Sequence, residues 1–207
     1  MSEAEARRWI ADRFGVSRET AVVAFGELLL EEARHQNLIA ASTFETLWTR
    51  HLLDSAQLVP LAEGAGAGAW LDIGSGPGLP GLVVALLTDR PIVLVEPRAK
   101  RVDFLRRASE ALGLTARVTL VQGKIEGWSA PAPAAVISAR AVAALPALLA
   151  AARHCASKDT VWLLPKGRNA QSEVEAARAK WQGRFHVEPS LTEMESGIVV
   201  ARGVQPR

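Results

Sequence analysis

The 207-residue chain is 49% apolar and 22% charged, with one cysteine, and its formal net charge is +2. That much apolar content in that length builds one domain of ordinary to large size with its own core, and excludes a disordered adaptor. Cys155 alone excludes an intrachain disulfide, Met1-Ser2-Glu3-Ala4-Glu5 lacks the apolar centre of a signal peptide, and no apolar run reaches membrane-spanning length, so a cytoplasmic protein without membrane contact is expected. The charge is too small to demand a nucleic-acid partner. It is uneven, however: residues 1–45 hold eight acids and five bases, so the remainder is the basic part.

Residues 3 to about 61 read as helical. Ser17 is expected to cap a helix whose apolar face is Val22, Val23, Phe25, Leu29, Leu30 and Ala33. Ser42 or Thr43 is expected to cap another over Phe44 to Leu53, with Leu47, Trp48 and Leu52 facing inward. Within it, Arg50-His51-Leu52-Leu53-Asp54-Ser55 mixes charged and apolar residues at helical spacing, and His51 reads as a packed or capping histidine, with a chemical role as the alternative. Glu63-Gly64-Ala65-Gly66-Ala67-Gly68 breaks the period and divides a helical extension, residues 1–62, from a main domain, residues 63–207.

From Trp70 onward strand and helix alternate. Apolar runs at Trp70 to Ile73, Ile92 to Val95, Val118 to Val121, Ala135 to Ile137 and Val161 to Leu164 suit a parallel sheet covered on both faces. Phe185 to Val187 and Ile198 to Ala201 read as two closing strands with only a loop between them. Such a pair after a βα series fits a Rossmann-like methyltransferase sheet better than a dehydrogenase, so the expected class is an open α/β sandwich.

The densest motif follows the first strand: Asp72-Ile73-Gly74-Ser75-Gly76-Pro77-Gly78-Leu79-Pro80-Gly81. Gly74, Gly76 and Gly78 let the backbone turn sharply and a ligand approach closely, and Pro80 marks the helix start. The frame Gly76-x-Gly78-x-x-Gly81 also satisfies a dinucleotide pattern, so the glycines alone leave the cofactor open. Asp72 tilts the choice to S-adenosylmethionine (SAM), because a carboxylate there suits the cationic aminoacyl end of SAM and repels a pyrophosphate.

Ligands in doubly wound sheets lie beyond the C-terminal strand ends. There Glu96 suits a ribose diol, with a solvated ion pair to Arg98 or Lys100 as the alternative, and Gly123-Lys124-Ile125-Glu126 suits an adenine held by backbone groups. In Ser138-Ala139-Arg140-Ala141 the Asn/Asp-Pro-Pro-aromatic signature of amine methylation is absent, and Arg140 offers a donor fork for a carboxylate, phosphate or guanine edge. Lys166, beside a turn, is a site cation or a surface one. Arg98, Lys100, Arg101, Arg106 and Arg107 cluster on the next helix, where Asp103 interrupts them and an ion-paired face is expected. The four histidines lack metal-ligand spacing, and neither a catalytic triad nor a carboxylate pair is visible, so no metal and no protein nucleophile are expected.

Arg50-His51-Leu52-Leu53-Asp54-Ser55, Leu71-Asp72-Ile73-Gly74-Ser75-Gly76-Pro77-Gly78-Leu79-Pro80-Gly81, Lys100-Arg101-Val102-Asp103-Phe104-Leu105 and Ser138-Ala139-Arg140-Ala141 together resemble the RsmG family, formerly GidB, over nearly the whole chain. The chain departs from the family pattern at Ala139 and Pro165. The resemblance implies a class I SAM-dependent methyltransferase sheet with a helical N-terminal extension, and a bacterial enzyme that methylates N7 of a guanine in the 530 loop of 16S ribosomal RNA, in the small subunit or an assembly intermediate. By it, Gly74, Leu79, Ile125, Glu126 and Arg140 would line the SAM site. Arg140 is also the candidate positioning residue in catalysis, and Arg50, His51, Arg101 and Lys166 are candidate RNA contacts. A small-molecule methyltransferase, a non-catalytic SAM-binding ribosome-assembly protein and a dinucleotide oxidoreductase stand as alternatives.

Overall fold

The computed structural model describes residues 1–207. α1 (Glu3–Phe14) opens on a capping box in which Ser2 Oγ accepts from the Glu5 amide and the Ser2 amide donates to the Glu5 carboxylate. α2 (Val16–Ala33) follows across a corner at Gly15, φ 89°, and begins one residue before Ser17, so the expected Ser17 cap is not formed. The buried face of α2, with Val22, Phe25 and Leu29, is the one the periodicity marks.

The expected helix over Phe44 to Leu53 is replaced by a 3-10 turn, Ala41–Thr43, and a π-helix, Trp48–Leu53, which runs on into α3 (Asp54–Ala56) and α4 (Leu58–Leu61). Neither Ser42 nor Thr43 caps it. The first π-helical amides are satisfied from 45 residues away: the Glu3 carboxylate accepts from Trp48 N–H at 2.7 Å, Thr49 N–H at 2.9 Å and Thr49 Oγ1 at 2.6 Å.

The sheet comprises β1 (Trp70–Ile73), β2 (Ile92–Glu96), β3 (Val118–Gln122), β4 (Val136–Ala139), β5 (Val161–Gly167), β6 (Trp181–Pro189) and β7 (Gly197–Pro206), in the order β3-β2-β1-β4-β5-β7-β6. The first five are parallel, and β7 lies antiparallel between β5 and β6. β6 and β7 extend well past the apolar runs that announce them. At that edge buried Trp181 and Phe185 alternate with polar residues, and the antiparallel ladder continues through positions that no apolar run reveals.

Period-two alternation divides the core. Trp70, Ile92, Leu94, Val136 and Leu163 face α5 (Gly81–Leu87), α6 (Ala99–Ala111) and the N-terminal helices, whereas Leu71, Ile73, Ile137, Trp162 and Leu164 face α7 (Leu145–Ala152) and α8 (Ala170–Arg178). Ile10, Phe25 and Leu29 share the first of these cores with Leu82 and Phe104, so the apolar core is continuous across the boundary near residue 62. The glycine-rich turn there is pinned by Arg90, which donates to the carbonyls of Ala65, Gly66 and Gly68. β1 lies between β2 and β4, so the chain leaves β1 and β4 toward opposite faces and opens a crevice at their C-terminal ends.

Candidate active site

The loop after β1 forms one wall. Gly74 and Gly76 have φ of 66° and 55°, and a Cβ on Gly74 would come within 2.6 Å of Val142 Cγ2, so both backbone and space call for glycine at 74. The Gly76 amide donates to Glu96 Oε2 at 2.8 Å, and the other oxygen of Glu96 accepts from the Arg98 amide at 2.9 Å. Glu96 is buried and ties the end of β2 to the loop by two backbone bonds, without an ion pair to Arg98 or Lys100.

Asp72 lies behind the loop. Strand alternation turns its side chain toward α5, away from the cavity, where its carboxylate accepts from Ser138 Oγ at 2.7 Å and from the Gly81 amide at 3.2 Å. Ser138 in turn accepts from Trp70 Nε1 at 2.8 Å. Burial pushes the Asp72 pKa up to about 6, against the lowering effect of the Ser138, Ser75 and Gly81 hydrogen bonds. The expected direct approach to a cationic aminoacyl group is therefore corrected: the carboxylate joins β1, β4 and the start of α5, and holds the loop from inside.

The opposite wall comes from the π-helix and the loop after β6. Arg140, just past β4, meets Asp54 Oδ2 at 3.2 Å and lies 3.5 Å from His51 Nδ1. Asp54 Oδ1 also accepts from Gln57 Nε2 at 3.0 Å and Thr192 Oγ1 at 3.3 Å. Thr43 Oγ1 donates to the Ala40 carbonyl, so its 2.8 Å contact with His51 Nε2 is donated by the imidazole. That leaves His51 Nδ1 with its lone pair toward Arg140. Burial, then the charges of Arg140 and Arg50, lower the His51 pKa to about 4, so the ring is neutral at pH 7.

Arg50 pairs with Glu193 at 2.9 Å, and hydrogen bonds from Ser196 and Arg50 hold the Glu193 carboxyl below its ordinary range. Lys166 is enclosed, not a surface cation: it meets Glu173 Oε2 at 3.0 Å and donates to the Ala143 carbonyl, while Glu173 also accepts from the Leu145 amide at 2.6 Å. On α6, Arg106 pairs with Asp103 and Arg107 with Glu32 of α2, so the expected ion-paired face forms only in part: Arg98, Lys100 and Arg101 have no acidic partner.

Between these walls lies a cavity of about 920 Å³. It brings together Gly74, Gly76, Leu79, Arg50, His51, Arg101, Arg140 and Lys166. Gly78, which has φ of 89°, and Asp72 and Glu96 stand behind its wall; Ile125, buried, and Glu126, exposed, lie on the turn after β3 and outside it. Sequence reasoning missed Asp54, Glu173 and the loop residues Thr192 and Glu193 as wall residues. Asp54 carried a signal, four residues beyond Arg50 in a charged helical motif. The loop at 190–196 carried none, because only the β6–β7 pairing brings it to the π-helix.

A parallel sheet closed by an antiparallel β7, a glycine loop after β1 and an acid at the end of β2 define the class: the fold is that of class I SAM-dependent methyltransferases. An O-methyltransferase from Bacillus cereus, solved in complex with SAH, superposes with a TM-score of 0.60 at 16% identity over 94% of this chain and 96% of that one. A methyltransferase from Geobacter sulfurreducens gives 0.58 at 16% identity over 87% of each chain. The family model "GidB: rRNA small subunit methyltransferase G" matches residues 18–199. Proteins called ribosomal RNA small subunit methyltransferase G from Rhizorhabdus wittichii and Sphingopyxis alaskensis are 49% and 47% identical to it, over 100% and 97% of this chain and 95% and 86% of their own lengths. The chain belongs to the rRNA small subunit methyltransferase G family.

Proposed function

We propose that this chain transfers the methyl group of SAM to N7 of a guanine in the 530 loop of 16S rRNA, by direct in-line displacement without a general base. Family membership supports ribosomal RNA as the substrate. The observation that carries the mechanism is the pairing inside the cavity: Asp54 is held by Arg140, Glu173 by Lys166 and Glu193 by Arg50, and the free lone pair of His51 faces Arg140. No wall group is poised to take a proton, and guanine N7 has none to lose, since its lone pair lies in the ring plane.

Gly74, Gly76 and Leu79 leave an open cradle that fits SAM, with Glu96 and the turn of Ile125 and Glu126 on the side assigned to adenosine. When bound, SAM supplies an electrophilic sulfonium methyl, and its C–S bond breaks as the N7–C bond forms. The work left to the protein is alignment and exclusion of water. Arg140, fixed by Asp54, is assigned to positioning of the guanine. Arg98 and Arg101 line the same cavity without an acidic partner, and are free to meet the methionine carboxylate of SAM or the phosphates of RNA. Together with Arg50, His51 and Lys166 they suit the phosphates and base of an entering RNA strand. The cytoplasm and the small subunit or its assembly intermediate are the setting this reading requires.

The test is methyl transfer from labelled SAM to small-subunit particles from cells lacking this gene, to the deproteinised rRNA, and to an RNA-free metabolite extract. Label recovered as 7-methylguanine in the rRNA is expected. Label confined to the RNA-free extract would overturn the reading in favour of a small-molecule methyltransferase.

A further inference from the structure

The loop between β6 and β7, residues 190–196, borders the cavity and is held there in two different ways. Its first residues are anchored on the buried side chain of Gln57, whose Oε1 accepts from the Leu191 amide at 2.8 Å and whose Nε2 donates to Ser190 Oγ at 3.2 Å. Thr192 Oγ1 adds its bond to Asp54. The tip, Glu193-Met194-Glu195-Ser196, is a turn closed by a 3.0 Å bond from the Ser196 amide to the Glu193 carbonyl. No apolar contact holds this tip, since Met194 is 97% exposed. Two ion pairs hold it instead, Glu193 to Arg50 at 2.9 Å and Glu195 to Arg168 at 2.8 Å. Arg50 lines the cavity, and Arg168 follows Gly167, which lines it too.

Exposure separates these two pairs from the other ion pairs of the site. None of their four side chains is less than 39% exposed, whereas Lys166, on Glu173, is 7% exposed, and Arg140 and Asp54 are 20% and 19% exposed. An exposed ion pair adds little stability, because water solvates each charge almost as well as the partner does. A guanidinium that exchanges a carboxylate for a phosphate keeps its charge-assisted bonds, so the exchange is cheap. The enclosed pairs are wall, and the tip is a part that an anion can displace.

We propose that Glu193 and Glu195 are specificity-determining residues, which occupy Arg50 and Arg168 in the free protein and yield them to the phosphates of an RNA strand. This rests on the reading that RNA enters the cavity. Phosphate contacts carry no sequence information, so two open arginines would hold any RNA. With a carboxylate on each, a strand must displace both, and only one that makes further contacts in the cavity recovers that cost. Discrimination then comes from opposing the wrong RNA as well as from fitting the right one.

The test measures binding of a fluorescent oligouridylate, as an unrelated RNA, and of deproteinised small-subunit rRNA to the full-length protein with SAH present. Glu193→Gln/Glu195→Gln is expected to bind the oligouridylate at least about threefold more tightly than the parent, and to prefer the rRNA less. The gain is expected to vanish when Arg50→Met and Arg168→Met are added, because the glutamates then have nothing to mask. The chain has two methionines, Met1 and Met194, so 13C-methyl labelling reports on the tip directly, with the signal assigned through Met194→Leu. Either RNA is expected to move the Met194 signal with the midpoint of its own binding. The proposal is overturned if the glutamine variant binds the oligouridylate no more tightly, or if RNA binds while the Met194 signal stays in place. It is also overturned if the gain persists without the two arginines, since the glutamates would then act by general repulsion. Each of these results leaves RNA binding intact, whereas a parent protein that binds neither RNA overturns the reading of the cavity and this proposal with it.

Discussion

Asp72 keeps its carboxyl inside the protein, where burial raises its pKa to about 6 from an ordinary value of 3.8. A carboxyl with a raised folded-state pKa stabilises the fold below its unfolded pKa, and that stability is lost as pH rises through the folded one. Wild type is therefore expected to gain on Asp72→Asn, by roughly 3 kcal/mol, as pH falls from above 6 to below 4. Thermal melts of both proteins across that range check this, and a constant gap would contradict it. His51, whose pKa is lowered to about 4, works in the opposite direction, but it is present in both proteins and cancels. Arg140 follows β4 beside the glycine loop and is anchored on the π-helix wall through Asp54. Arg140→Ala is accordingly expected to slow methyl transfer at least about tenfold while SAH affinity stays within about threefold, a split that separates positioning of the acceptor from cofactor binding. Its His51 pKa should also rise toward 6.5, because the largest of the neighbouring charges that lower it is gone.

Among the elements, the π-helix depends most on a distant partner. Three donors at its start converge on Glu3, which belongs to another helix. Replacing Glu3 by Gln removes the charge and puts an amide donor among them, so a loss of about 1–3 kcal/mol in denaturant unfolding is expected. An unchanged midpoint would mean that the π-helix holds without its cap. This element also shows where the sequence stops being legible. Four of the five parallel strands announce themselves as apolar runs because a sheet covered on both faces needs them, whereas β3, at the edge, carries its apolar run with no residue fully buried. The glycine loop is legible because backbone with positive φ selects glycine. The cap on Trp48 and Thr49 is not, since the bond joins residues 45 positions apart. The expected approach of Asp72 to SAM failed for a related reason: composition places an acid at the strand end, but only the pleat and α5 decide which way it points.

At the scale of the whole molecule, the N-terminal helices complete both the core and the site. Phe25 and Ile10 pack with Leu82 and Phe104, and the π-helix carries His51 and Asp54 to the cavity. Phe25→Ala is expected to cost about 3–5 kcal/mol and to shift a single transition in which helix circular dichroism and tryptophan fluorescence move together. A separate early transition of the helices would show that they fold as an independent unit. The cavity joins this shared core to the C-terminal strand ends, with cations from both parts of the chain around one glycine cradle. The central proposal, which rests on the family resemblance, is methylation of a single guanine N7 in small-subunit RNA. Mapping 7-methylguanine by reductive cleavage in rRNA from cells with and without this gene tests it most directly. Loss of one mark in the 530 loop is the predicted result, and an identical pattern in the two strains would contradict the account.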